Sequence, residues 1–100
     1  MTMPELRIVR DIVSRCLPAG TKVFVFGSRA TGQRLKPWSD LDLAFEASEP
    51  LPWRLMSRLE HEFDEALLNW KVDVIDLKAI SPEFRRTVDS HKIPLPEAEV

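Results

Sequence analysis

Two aspartates two positions apart, Asp40 and Asp42 within "SDLDL", follow a glycine–serine pair, Gly27–Ser28, that closes a short apolar run. On a strand, residues two apart point to the same face with backbones roughly 6.5–7 Å apart, so these carboxylates aim into one space. Two carboxylates that near repel, and each is partly desolvated. The pair is stable only if a cation sits between them or one takes a proton. Magnesium meets that need, because it is a hard ion that prefers oxygen ligands, keeps several waters and is commonly completed by nucleotide phosphates.

The anion that such a metal would meet has a candidate seat in Gly27–Ser28. A strand ending in glycine turns sharply and lets a ligand approach its backbone, and Ser28 adds a hydroxyl beside the freed amides of a helical turn beginning near Arg29. Those amides and the positive end of the turn favour a phosphate. Neither the G-x-x-x-x-G-K-[ST] nor the G-x-G-x-x-G spacing is present, and alone the pair also fits an ordinary strand-to-helix turn. A third carboxylate comes from "KVDVIDL". Asp73 and Asp76 are three positions apart and so face opposite sides of a strand, and only one can join the pair. Asp73 is the preferred candidate, deeper in the apolar run, whereas Asp76 sits near its end with a structural or solvent-facing role expected.

The elements that must position these residues follow from the periodicity. From Pro4 the apolar residues Leu6, Val9, Ile12, Val13, Cys16 and Leu17 recur at helical spacing until "PAG" stops them. Val23–Phe26 reads as a strand buried on both faces, Leu41–Phe45 as a second and Val72–Leu77 as a third. Leu51–Leu68 carries Leu55, Met56, Leu59, Phe63 and Leu67 on one stripe of an amphipathic helix. A last helix starts with Ser81 as N-cap, Pro82 at its first position and Glu83 in its first turn. A proline-broken tail, irregular from about residue 92, follows. The expected fold is α+β (α/β), a small mixed sheet flanked by helices in the order helix, strand, strand, helix, strand, helix.

One hundred residues with 44% apolar content form one domain, 1–100. A net charge of −2 supplies no field for gathering nucleic acid, so no direct nucleic-acid binding is expected. The N-terminus lacks the apolar core of a signal peptide and no run reaches membrane-spanning length, so a cytoplasmic protein with no membrane partner is expected. The lone Cys16 fits a reducing compartment and a core position. His61 and His91 lack metal-ligand spacing and read as solvated. Trp53 and Trp70 read as partial core, while Trp38, just ahead of Asp40, could stack on a base. Arg85–Arg86 reads as helix surface.

Taken together, "FGSRATG", "SDLDL" and "VDVIDL" resemble the minimal nucleotidyltransferases of the DNA polymerase β superfamily, over most of the chain from Val23 to the helix after Ser81. The family contains antitoxin partners of helical HEPN toxins, some of which transfer AMP from ATP to a tyrosine of the toxin. The resemblance implies a polymerase β-like nucleotidyltransferase fold in which Gly27 and Ser28 bind triphosphate, Asp40 and Asp42 bind two magnesium ions, and Asp73 completes the cluster. The loop between Ser28 and Asp40 is one residue longer than is common in the family. Arg29 either touches phosphate or pairs with a nearby carboxylate. Two metals would stabilise the entering and leaving oxygens of an in-line displacement, with Asp73 on the acceptor side.

Two function classes follow. One is a magnesium-dependent adenylyltransferase that uses ATP to modify a hydroxyl of a HEPN-family partner. The other is a non-catalytic antitoxin that neutralises a partner by covering it. Because one small domain offers only one wall of a nucleotide site, self-association or a stable heteromer is expected.

Overall fold

The computed structural model describes residues 3–26, 41–68 and 71–96. Helix α1 (Met3–Cys16) leads into strand β1 (Lys22–Phe26), then β2 (Leu41–Glu46), α2 (Trp53–Glu65), β3 (Val72–Asp76), α3 (Pro82–Asp89) and a two-residue strand β4 (Ile93–Pro94). The sheet order is β3-β2-β1-β4, with β2 and β3 parallel and the pairs β1–β2 and β1–β4 antiparallel. The expected alternation of helices and strands is present, with β4 added.

Each helix is where its pattern dictates. α1 buries Leu6, Val9, Ile12, Val13 and Cys16 along one stripe, so the cysteine is core. Gly20, at φ +85°, turns the chain from α1 into β1 in a conformation that side chains disfavour. α2 is shorter than its apolar stripe: Pro52 occupies the N-cap and the helix ends at Glu65. α3 starts as its sequence requires, with the Ser81 hydroxyl accepting the Phe84 N–H at 3.2 Å and Pro82 opening the first turn. Residues with no free N–H at a helix start cost nothing, because those donors have no partner there anyway.

The central strand β2 separates two apolar layers. Leu41, Leu43 and Phe45 face α1 and α2 in the larger cluster, with Val25, Leu59 and Phe63. Ala44 faces the other way, packed with Phe26, Leu77 and Val88 under α3. All of Leu41, Leu43, Ala44 and Phe45 are fully buried, as a strand with neighbours on both edges and helices on both faces must be. β1 is less enclosed than its composition suggests. Val25 and Phe26 are buried but Val23 and Phe24 only half-buried, and the Lys92 ammonium lies 4.4 Å from the Phe24 ring centroid.

The tail differs from the irregular segment expected. Ile93 and Pro94 pair with Val25 and Phe24, the Leu95 N–H donates to the Val23 carbonyl at 3.0 Å, and Arg10 donates to the Pro96 carbonyl at 3.0 Å. A proline fits there because β4 is an edge, where a missing N–H breaks no ladder. Among the described residues, no helix is long and apolar enough to cross a membrane.

Candidate active site

The register of the sheet brings the candidate carboxylates to one end and one face. Asp42 pairs with Asp73 across the parallel β2–β3 ladder and with Phe26 across the antiparallel β1–β2 ladder. Residues paired in register project to the same side, so Phe26, Asp42 and Asp73 form a row across the face that carries α3. The row lies where β1 ends and β2 and β3 begin. Asp42 is only 2% exposed, and Asp73 is half-buried. Phe26 closes one side of the row, and the Phe84 ring of α3 meets it edge-on at 6.3 Å between centroids.

Gly27, Ser28, Arg29 and Asp40 lie outside the described residues, as do Trp38 and Trp70. The described residues contain no group of three acidic, histidine or cysteine side chains able to hold a metal. The Asp42–Asp73 pair nonetheless has the donor chemistry a hard divalent cation requires, two carboxylates on neighbouring strands and the same face. It is also adjacent in sequence to both undescribed contributors: Gly27 directly follows β1, and Asp40 directly precedes β2.

Asp76 has a different job. It points to the opposite face of β3, 5% exposed, and of the two roles expected for it takes the structural one, as a staple. Its Oδ2 accepts the Leu51 N–H at 2.7 Å and its Oδ1 accepts the Lys78 N–H at 2.9 Å. Both amides belong to chain segments leaving strands, Leu51 between β2 and α2 and Lys78 just after β3. One carboxylate thus fixes the connection from β2 to α2 and the start of the connection from β3 to α3.

At the far end of the same face lies a second charged group, built on Arg85, which is half-buried and paired rather than plain helix surface as expected. Arg85 of α3 donates to Glu46 at the end of β2, to the Leu77 carbonyl at 3.1 Å and to Asp89 at 3.3 Å. Arg85 holds the Glu46 carboxyl below its usual range, with the hydrogen bond the main cause. The signal that could have found this pair is parity: Glu46 lies four residues from Asp42 and so shares its face, beneath the helix that carries Arg85. Of the remaining expectations, His61 is solvated, but His91 is half-buried with its Nε2 enclosed and without a partner among the described residues. Trp53 is not partial core: it is 73% exposed, with the Arg54 guanidinium 5.7 Å from its ring.

Comparison with known proteins gives the chain its family. The nucleotidyltransferase domain family model matches residues 6–95. A Haemophilus influenzae relative, named a probable protein adenylyltransferase MntA, is 39% identical over 95 residues, covering 95% of this chain and 82% of the relative. Among solved structures, a mutant toxin-antitoxin MntA–HpeT, with two aspartates two positions apart replaced by glutamate, superposes with a TM-score of 0.73 at 20% identity, covering 96% of this chain and 73% of that one. The MNT antitoxin bound to a tri-AMPylated Shewanella oneidensis HEPN toxin gives a TM-score of 0.63 at 21% identity, over 96% of this chain and 72% of that chain. The chain belongs to the nucleotidyltransferase domain family. Within it, the chain is a minimal nucleotidyltransferase with the polymerase β-like fold, related to MntA.

Proposed function

We propose that this protein transfers AMP from ATP to a hydroxyl of a HEPN-family protein partner, in a magnesium-dependent reaction that makes it the antitoxin of a two-component pair. The observation that carries the reading is the in-register pair Asp42 and Asp73, on one face beside the end of β1. The naming of the Haemophilus relative as a protein adenylyltransferase and the AMPylated toxin bound by the Shewanella relative support the choice of nucleotide and acceptor.

In this reading Asp40, Asp42 and Asp73 hold two magnesium ions, and Gly27, Ser28 and Arg29 seat the triphosphate. Bound magnesium supplies neutralising charge for the entering and leaving oxygens. The acceptor oxygen bonds to the α-phosphorus while the bond to the bridging oxygen of the β-phosphate breaks, and pyrophosphate leaves with that electron pair. The acceptor proton passes to Asp73, the carboxylate on the outer side of the row. Phe26 and its neighbour Phe84 exclude water from the inner side.

Co-expression with a HEPN-family protein, sought first in the neighbouring reading frame, followed by intact-mass measurement with ATP and magnesium, tests the reading. The expected result is one or more adenylyl increments on the partner, absent with Asp42→Asn. A stable complex in which the partner is neutralised but never gains mass would instead establish the covering mode.

A further inference from the structure

The sheet treats its two edges differently. The β4 edge is two residues long and carries Pro94, devices that blunt an edge against further pairing. The β3 edge is five residues long, contains no proline or lysine, and has no partner strand on its outer side among the described residues. The Lys71 carbonyl accepts the Leu41 N–H at 3.1 Å, and the Leu77 N–H donates to the Phe45 carbonyl at 2.9 Å. Because backbone groups alternate along a strand, residues 71, 73, 75 and 77 turn theirs towards β2, and Val72 and Val74 turn theirs outwards.

A groove of about 410 Å³ runs along this edge, lined by Trp53, Met56, Val74, Ile75, Ala79 and Ile80. Trp53 stands at its rim, 73% exposed. An exposed tryptophan over an apolar groove beside open backbone donors and acceptors is suited to an extended polypeptide, which satisfies the backbone groups by pairing and fills the groove with alternate side chains.

The edge is also continuous with the candidate active site. A strand added to β3 extends the row Phe26, Asp42, Asp73 by one residue on the same face. Asp73 turns its own backbone groups towards β2, so relative to an added antiparallel strand it is a non-hydrogen-bonded position. There, facing residues approach to about 4.5 Å between Cα atoms and their side chains lie closest. We propose that the open edge of β3 docks an extended segment of the partner polypeptide, with the acceptor hydroxyl on the residue opposite Asp73 and Trp53 anchoring the far end of the segment. The proposal rests on the adenylylation reading above and gives that reaction its acceptor geometry. An apolar residue two positions from the acceptor hydroxyl fits beside Ile75, which lies two positions from Asp73 on the same face.

The test uses the full chain with its HEPN partner and two variants. Val74→Pro removes an outward-facing N–H without breaking the β2–β3 ladder, and Trp53→Ala trims an exposed side chain that the fold does not need. Both are expected to keep the parent's thermal stabilisation by ATP and magnesium while losing at least tenfold in the rate of AMP transfer to the partner. In the complex, the Val72 and Val74 amides are expected to gain hydrogen-exchange protection that they lack in the chain alone. Parent-like transfer by both variants, or unchanged exchange at those amides in a complex that transfers AMP, overturns the docking proposal and leaves the adenylylation reading standing. A parent that binds its partner and never transfers AMP overturns both.

Discussion

Replacing Asp76 by alanine should cost the fold far more than replacing Asp73, although the two share a strand and a charge. Asp76 is almost fully enclosed and accepts two backbone N–H groups, from Leu51 at 2.7 Å and Lys78 at 2.9 Å. Its removal orphans both donors, and the Leu51 amide is buried where no water replaces the lost acceptor. A hydrogen bond to a charged group is worth about 1.5–3 kcal/mol, and an orphaned buried donor costs about 1–3 kcal/mol. A loss of about 3 kcal/mol is therefore a conservative sum for the pair of bonds. For a domain of this size each kcal/mol moves the melting temperature by roughly 4–8 °C, so Asp76→Ala should melt roughly 12–24 °C below the parent. Asp73→Ala, at a half-buried position on the opposite face, should shift the metal-free melting point by only a few degrees. Circular-dichroism melts in chelator-treated buffer make the comparison. If Asp76→Ala melts within about 3 °C of the parent, or Asp73→Ala falls as far as Asp76→Ala, the division between a structural and a functional carboxylate is wrong.

Three further outcomes follow from the same geometry. Asp42→Asn should leave the metal-free melting point unchanged or slightly raised, because it relieves repulsion from the in-register Asp73, and should abolish the stabilisation of roughly 2.7 kcal/mol that ATP with magnesium confers at a hundredfold excess over the dissociation constant; a large metal-free loss would count against the metal-site reading. Glu46 has its pKa lowered in the fold by Arg85, so its contribution is present above the ordinary carboxylate pKa and is lost as pH falls through the lowered folded value. Denaturant titrations below about pH 4.5 should show a shallower acid loss in Glu46→Gln than in the parent, and equal slopes would remove the pair from the account. Phe45→Ala, at a fully buried position in the larger core cluster, should cost about 3–5 kcal/mol and leave the domain marginal at 25 °C, which urea titration would detect.

The parts of this molecule that a sequence displays are those fixed by local period, and the carboxylates illustrate how far that reaches. Strand parity alone separates Asp73 from Asp76, and the same parity assigns Asp42 and Glu46 to one face and Leu41, Leu43 and Phe45 to the other. Helix starts are legible for a similar reason: Ser81, Pro82 and Glu83 act within one turn, and the fold adds nothing they need. Asp76 shows the limit of local reading. Its place near a strand end leaves a structural and a solvent-facing role open, and the partner that decides between them, Leu51, lies 25 positions away and is brought close only by the fold. The tail fails in the same way, since "KIPL" carries no strand pattern and becomes β4 only because Arg10 and the Val23 carbonyl bind its neighbours. Trp53 fails for a subtler reason. A tryptophan at a helix start is normally drawn into the core, and here the α1–α2 layer is already filled by Leu59 and Phe63, which leaves the ring over the edge of β3. Periodicity tells which face of a strand a side chain takes; it cannot tell which strand lies at the edge, because edges are set by the order of the whole sheet. That order places β3 at an edge of the sheet and ends the candidate row of Phe26, Asp42 and Asp73 there, and the docking proposal puts the acceptor at the position next in the row.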